Sequence, residues 1–514
     1  MLFFPHTSQG WLNGKLMVGI VRVIAIGIFL VTSILFPWSG FAQAEEVVSE
    51  CKSIQSQILI NNVRIFDGES KDLTEKKNLL IVNNKINTIS AIPINFIGRS
   101  ERCRYPINKE GLSEEEIAQK EKEPETEDEI KAREKTINAT DNQVLIPGLI
   151  DAHYHIMLSI VPQQIALTAD IGYINYVAAK DAKDILMRGF TSVRDVGGPS
   201  FGLKRAVDEG MIVGPRIFPS GAFISQTGGH GDFRLPSLLP KALGDLTYEE
   251  RIGLTAIADS PDEIRLRARE QLRQGASQLK VMAGGGVSSD YDPLDVTQYT
   301  KEEITAAVQA AKNWGTYVTV HAYTSDAVKQ AIEAGVKCIE HGQLIDENTV
   351  KILKDRDIWW SLQPFLMDED ANPKTGENLE KQKQVAEGTK NAYKWAKQYG
   401  VKTAFGTDNM FSAKNAKAQN RKLAKLVNDV NLKGTYTEAD VLKMATADNG
   451  SLLQLSGLRS PYPGELGVVK KGALADLLLV NGNPLNDINL VTDPEKNFLV
   501  IIKDGKIYKN IINN

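Results

Sequence analysis

A chain of 514 residues, 42% hydrophobic and 24% charged, has the composition of an ordinary globular protein and is long enough for one α/β barrel with attachments. Its formal net charge of -4 comes without any basic block able to follow a phosphate backbone, which excludes nucleic acid as an expected partner.

Residues 1–44 read as a targeting segment. Lys15 and Arg22 precede the apolar run 23–36, and the small-x-small pattern Ala42-Gln43-Ala44 follows Pro37. The run is shorter than the ~20 residues a membrane span needs. The expectation is secretion, most simply to a bacterial periplasm, with no stable membrane anchor after processing. His6 falls in this segment and carries no role. An oxidising compartment would let Cys51 and Cys103 pair, whereas Cys338, in the apolar stretch 336–339, reads as a buried structural thiol.

Residues 57–67 read as a strand ending in a turn, and 78–89 as a hairpin turning at Asn83-Asn84. These strands are too few to bury a core alone. Their expected partners lie at the other end of the chain, at 475–480, 498–502 and 506–508, with Asp504-Gly505 as a hairpin turn. A small composite β-sandwich built from both termini follows, over 45–143 and 456–514. Within it, residues 109–135 are crowded with Glu and Lys and read as a solvated helix or an excursion from the fold.

From Val144 to about residue 455 short apolar runs alternate with amphipathic stretches. Strands are predicted at 144–150, 191–194, 216–219, 276–281, 317–321, 337–341, 359–363 and 402–406, with helical patterns at 301–314, 325–334 and 390–399. Eight such units predict an α/β fold, a closed (β/α)8 TIM barrel over 144–455. Barrels of this kind place their chemistry at the carboxyl ends of the strands.

Those ends are where the polar residues collect. The first predicted strand runs into His153 and His155, which share a face because side chains alternate along a strand. The fourth carries Lys280, the fifth ends in His321, the sixth in His341, and the eighth runs into Asp408. Four of the six histidines in the chain fall at these ends, a pattern that points to bound divalent metal.

The motifs Pro-Gly-Leu-Ile-Asp-Ala-His-Tyr-His, Val-His-Ala-Tyr-Thr, Ile-Glu-His-Gly and Gly-Thr-Asp together resemble the amidohydrolase superfamily of metal-dependent hydrolases. The nearest likeness is to its imidazolonepropionase-related group, which contains Xaa-Pro and other dipeptidases of the prolidase type. The likeness runs from about residue 57 to residue 508, and it is far more specific for fold than for substrate. It implies two divalent metal ions, zinc being the usual choice. His153 and His155 would hold the more buried ion, His321 and His341 the more exposed one, and Asp408 would bind the first while acting as general base. Lys280 stands where binuclear members carry a carboxylated lysine, whose carbamate oxygens bridge two cations that a bare ammonium would repel. The plainer reading of Lys280 is a barrel lysine paired with a nearby acid, and a site holding one metal. The resemblance further implies hydrolysis of amide or peptide bonds by a metal-bridging hydroxide, best matched to a prolidase-type dipeptidase acting on a dipeptide or other small molecule. N-acyl amino acids, lactams or esters are the alternative substrates. A catalytically silent binding protein on the same barrel would have lost ligands, and none is lost.

Two more residues point to the substrate. His230 lies in the glycine-rich loop Gln226-Thr227-Gly228-Gly229-His230-Gly231-Asp232, which faces the active site in the group it resembles; carbonyl or intermediate stabilisation is its sharper reading, a histidine held by Asp232 its plainer one. Tyr323 shares a strand face with His321 and could meet a substrate carboxylate or simply pack at the rim. Gly284-Gly285-Gly286 lacks the Lys-Ser/Thr pair of a phosphate loop and reads as slack beside the metal site. Trp359-Trp360 reads as core packing. The stretch after Asp408, residues 409–415, lacks the glycine and histidine common in the dipeptidase group. Homo-oligomerisation is left open.

Overall fold

The computed structural model describes residues 54–97, 111, 113–120, 127–240 and 245–512. The expected targeting segment and the expected Cys51–Cys103 pair lie outside the described residues. Among the described residues no helix is long and apolar enough to cross a membrane.

Strands β1 (Gln57–Ile65), β2 (Lys77–Val82), β3 (Lys85–Ser90), β4 (Glu134–Asn138) and β5 (Gln143–Pro147) come first, and β16 (Leu477–Asn481), β17 (Phe498–Lys503) and β18 (Lys506–Asn510) come last. They form one eight-stranded sheet of order β18-β17-β16-β5-β1-β2-β3, with β4 beside β1. A bulge divides β1, with Asn62 at φ 58°. Its first half pairs with β4 and its end with β5, so one strand serves both halves of the sheet. β4 was not expected. It grows directly out of the charged stretch, whose described part holds the short helices Glu114–Lys120 and Glu127–Arg133.

β5, β16 and β17 are apolar at almost every position because both faces are covered. Leu145, Leu477, Leu479 and Val500 face the core that the two halves of the sheet share. Val144, Ile146, Leu478, Val480 and Ile501 face the other way, into the core of the barrel. Arg216 ties the layers together, its Nε 2.9 Å from Asp476 and its Nη2 2.8 Å from Asp504.

Between the two sheet halves run β6 (Leu149–Tyr154), β7 (Phe190–Asp195), β8 (Arg216–Pro219), β9 (Phe223–Ser225), β10 (Thr255–Ile257), β11 (Leu279–Met282), β12 (Val318–Thr324), β13 (Cys338–Leu344), β14 (Trp359–Leu362) and β15 (Thr403–Phe405). All their pairings are parallel. β8 and β9 are two pieces of one barrel strand, broken at Ser220-Gly221-Ala222: β8 pairs with β7, and β9 with β11. With that strand counted once and β10 set on the free edge of β9, the barrel has its eight positions, as expected for this fold.

The run 144–150 is not one strand. At Gly148 the chain leaves the terminal sheet for the barrel, and the Gly148 N–H donates to Asp476 O at 2.8 Å. A Cβ there would sit 2.2 Å from Thr191 Oγ1, so only glycine fits the crossing. The barrel closes where β15 meets β6. The Asp408 N–H donates to His153 O at 2.8 Å, and Asn449 Nδ2 donates to Ile150 O and Phe405 O at 2.7 and 2.8 Å. A side-chain amide thereby does the work of a missing ladder bond.

Candidate metal centre

Closure of the barrel brings the first and last strands to one point. His153 sits on β6 with His155 just beyond it, Lys280 on β11, His321 on β12, His341 on β13, and Asp408 follows β15. Ring centroids are 5.3 Å apart for His153 and His155, 4.8 Å for His153 and His341, and 4.5 Å for His321 and His341. Ligand atoms of His153, His341 and Asp408 all lie within 4.8 Å of one another, a spacing that can hold a metal ion.

Two residues reach the site through left-handed backbone. Alternation along β13 sends Glu340 into the barrel and would send His341 outward, but φ of 72° at His341 turns its ring back. Trp360 Nε1 donates to the His341 carbonyl at 2.7 Å and holds that turn. Asp408 has φ of 50° and is likewise re-aimed. Gly406 makes room, since a Cβ there would lie 2.4 Å from that of His153.

Each imidazole spends one nitrogen on the protein. His153 Nδ1 donates to Glu340 Oε2 at 2.7 Å, His155 Nδ1 to Gly197 O at 3.1 Å, His321 Nε2 to Gly285 O at 3.0 Å, and His341 Nδ1 to Gln363 Oε1 at 2.8 Å. These partners assign the tautomers and leave the other nitrogens as ligands. The consequence is sharp at Asp408, whose Oδ1 lies 3.2 Å from Nε2 of both His153 and His155. His153 Nε2 is buried without a hydrogen-bond partner. His155, which burial holds on the neutral side, turns a lone pair on that carboxylate oxygen, and imidazoles converging with a carboxylate form a donor set that fits a divalent metal.

The electrostatics agree. Burial holds His155, His321 and His341 below the ordinary histidine value, which keeps them neutral and able to ligate. Burial would do the same to His153, but Asp408 and Glu340 outweigh it and raise it. Burial alone would raise Asp408; the histidines around it, His153 first, hold it well below the usual carboxylate range. Lys280 is 1% exposed, and burial brings its pKa down to about 8. Among the described residues it has no hydrogen bond and no ion pair, and the nearby acids Glu340 and Asp408 act against burial to raise its pKa.

Of the two substrate candidates, His230 is held not by Asp232 but by Ser289 Oγ at 2.6 Å and Asp292 Oδ2 at 3.1 Å, both to Nδ1. Asp232 instead takes the Arg234 guanidinium and the Gly228 N–H. The His230 ring stacks on His321 at 4.0 Å and lies against Gly286, where a Cβ would meet it at 2.0 Å. The three-glycine run therefore admits His230 and supplies the Gly285 carbonyl that orients His321. Tyr323, 3% exposed, stacks on His341 at 4.9 Å. Both candidates line, with the six convergent residues, a pocket whose other walls include Phe223, Phe233, Phe365, Leu366, Val385, Met410 and Phe411. The departure after Asp408 thus delivers two apolar side chains to the pocket.

The Amidohydrolase family model matches residues 144–511. The chain belongs to the amidohydrolase family. It is 31% identical to an ochratoxinase of Aspergillus niger over 391 residues, 71% of this chain and 76% of that protein. It superposes on a prolidase crystallised with N-methylphosphonate-L-proline with a TM-score of 0.73 at 28% identity, covering 89% of this chain and all of that one. A Xaa-Pro dipeptidase with methionine bound in its active site gives a TM-score of 0.70 at 26% identity, covering 88% and 100%.

This amidohydrolase is therefore a hydrolase of carbon–nitrogen bonds, and its family implies metal ions. Two residues of the site escaped the reading of the sequence. Glu340 is fully buried and joins His153 to Arg194, whose Nη2 lies 2.6 Å from Glu340 Oε1. Arg194 also donates to Tyr317 Oη and Ser361 Oγ, both at 3.2 Å, and Thr319 Oγ1 donates to Glu340. Burial opposes the Glu340 charge, but Arg194 holds its pKa well below the usual range. Lys422, buried behind Asp408, donates to Thr407 O at 3.2 Å and Asn409 Oδ1 at 2.6 Å, bracing the chain on both sides of Asp408. Cys338 is buried as expected, and burial pushes its thiol up to about 12.

Proposed function

We propose that this amidohydrolase is a binuclear metal enzyme, zinc the expected metal, that hydrolyses the amide bond of a dipeptide in the manner of a prolidase. The observation that carries the metal is Asp408 Oδ1 standing 3.2 Å from Nε2 of both His153 and His155, with His341 converging on the same point and the Nδ1 of each of the three rings committed to the protein. The likeness to a prolidase and a Xaa-Pro dipeptidase supports a dipeptide. The likeness to an ochratoxinase favours a second reading, in which an N-acyl amino acid takes its place.

His153, His155 and Asp408 would hold one ion and His321 and His341 the other, with Lys280 between. A depressed pKa suits Lys280 to this part, because only the neutral amine attacks carbon dioxide: the Nζ–C bond forms, one proton leaves to solvent, and an anionic carbamate remains. The bound ions supply Lewis acidity, which makes water nucleophilic near neutral pH and polarises the scissile carbonyl. Asp408, ionised and the most exposed of the cluster at 17%, takes the proton of the attacking water and passes it to the departing amine. His230, held at Nδ1 by Ser289 and Asp292 and stacked on His321, stands in the pocket wall where it would contact the substrate. The apolar walls receive the side chains on either side of the bond. The amino-terminal targeting pattern fits secretion of the enzyme.

The test is hydrolysis of a dipeptide and N-acyl amino acid library by wild type and Asp408→Asn, before chelation, after it, and after zinc is restored. Release of amino acids that chelation abolishes and zinc restores is expected, with kcat lowered about 10²–10⁴-fold in the variant. Turnover that survives both chelation and Asp408→Asn would refute the mechanism; turnover confined to N-acyl substrates would move the assignment to the second reading.

A further inference from the structure

Among the described residues, every charged side chain that lines the pocket outside the metal cluster has a clear structural partner except one. Lys425 pairs with Asp368 and Asp370, each at 2.7 Å, and Asp370 is shared with Arg421 at 2.6 Å. Lys422 is spent on Thr407 O and Asn409 Oδ1. Lys374 is half-buried in the same wall and has no ion pair among the described residues. Its hydrogen bond to Ser288 Oγ is a long one, 3.3 Å, and Ser288 itself lines the pocket. The loop that carries Lys374 is pinned on both sides. Asn372 Nδ2 donates to Met410 O at 3.2 Å, Gln382 Nε2 donates to Asn372 O at 2.7 Å, and the helix Gly376–Tyr399 begins two residues on. Burial lowers the Lys374 pKa, while Asp290 and Asp408 act to raise it, so its ammonium lies within the field of the general base.

An ammonium held in a part-apolar wall, with no ion pair among the described residues, is a poor stabilising device and a good anion receptor. We infer that Lys374 binds the free α-carboxylate of the substrate, which restricts the enzyme to amides whose amine half is an amino acid with an unblocked carboxyl group. The inference rests on the amide-hydrolase reading above and adds a residue and a rule of specificity to it. Tyr323 is a neutral donor at best, since burial raises its phenol well above its ordinary value, so the charge that selects an acid over an amide comes from Lys374. Phe365, Leu366 and Val385, in the same wall, receive an apolar side chain beside that carboxylate.

The test compares zinc-loaded wild type, Lys374→Met and Lys374→Arg on matched pairs of N-acyl amino acids or dipeptides and their carboxamides. The expected result is that the acid-to-amide ratio of kcat/KM falls about 10–100-fold in Lys374→Met, mainly through KM, and is largely kept in Lys374→Arg. An unchanged ratio in Lys374→Met would overturn the inference. Should wild type hydrolyse neither member of any pair, the proposed reaction fails, and calorimetric binding of free L-methionine against L-methioninamide then decides the receptor alone. Weaker binding of methionine to Lys374→Met would uphold it; equal binding to wild type and variant would overturn it.

Discussion

Glu340 shows how one side chain sets another to work. Its carboxylate accepts a hydrogen bond from His153 Nδ1, and the bond turns Nε2 towards Asp408. The Glu340→Gln variant keeps the shape and loses the charge, so metal affinity should fall about 10–100-fold, as measured by competition with a chromophoric chelator. The variant should also unfold at lower temperature, because Arg194 is then left buried without its counter-charge. Unchanged metal affinity would mean that His153 is oriented by other means. The six candidate ligands were legible in the sequence because residue type and position at strand ends announced them. Glu340 was not, although it immediately precedes His341, because its role depends on partners 187 and 146 residues away. Nor was the reversal of the His341 ring, which a left-handed φ imposes against ordinary strand alternation.

Among the elements, β17 carries a titratable device that is independent of the site. Lys503 is 6% exposed, donates to Gly214 O at 2.8 Å, and has its pKa lowered by burial to about 8. Between about pH 8 and the ordinary lysine value the unfolded chain therefore binds more protons than the native one, and native stability rises with pH across that window. Lys503→Met removes this contribution. Its stability relative to wild type should decline as pH rises through the window, as read by denaturant unfolding at a series of pH values; a difference that stays constant would show that Lys503 is not buried as a charge. Strand runs in the sequence located most barrel positions because parallel strands buried on both faces read as continuous apolar stretches. The same continuity concealed the break at Gly148, where one apolar run serves two sheets, and the split of the third strand at Gly221. β4 hid because Glu134-Lys135-Thr136-Ile137-Asn138 offers only one large apolar side chain to mark it. The long helix Gly376–Tyr399 was seen only in its second half, since its opening turns are almost wholly polar.

Over the whole molecule, the terminal sheet and the barrel share one wall, and the barrel closes where β6 and β15 bring His153 to Asp408. The fold was legible from strand count and from motifs spread over the chain. The substrate was not, because the residues that would choose it, Lys374 among them, sit on loops that no periodicity marks. The central proposal is a pair of metal ions bridged by Lys280, and metal content per chain of purified wild type and Lys280→Ala addresses it most directly. About two zinc ions per wild-type chain, falling towards one in the variant, is the expected result. The same content in both proteins, or no firmly held metal in wild type, would contradict it.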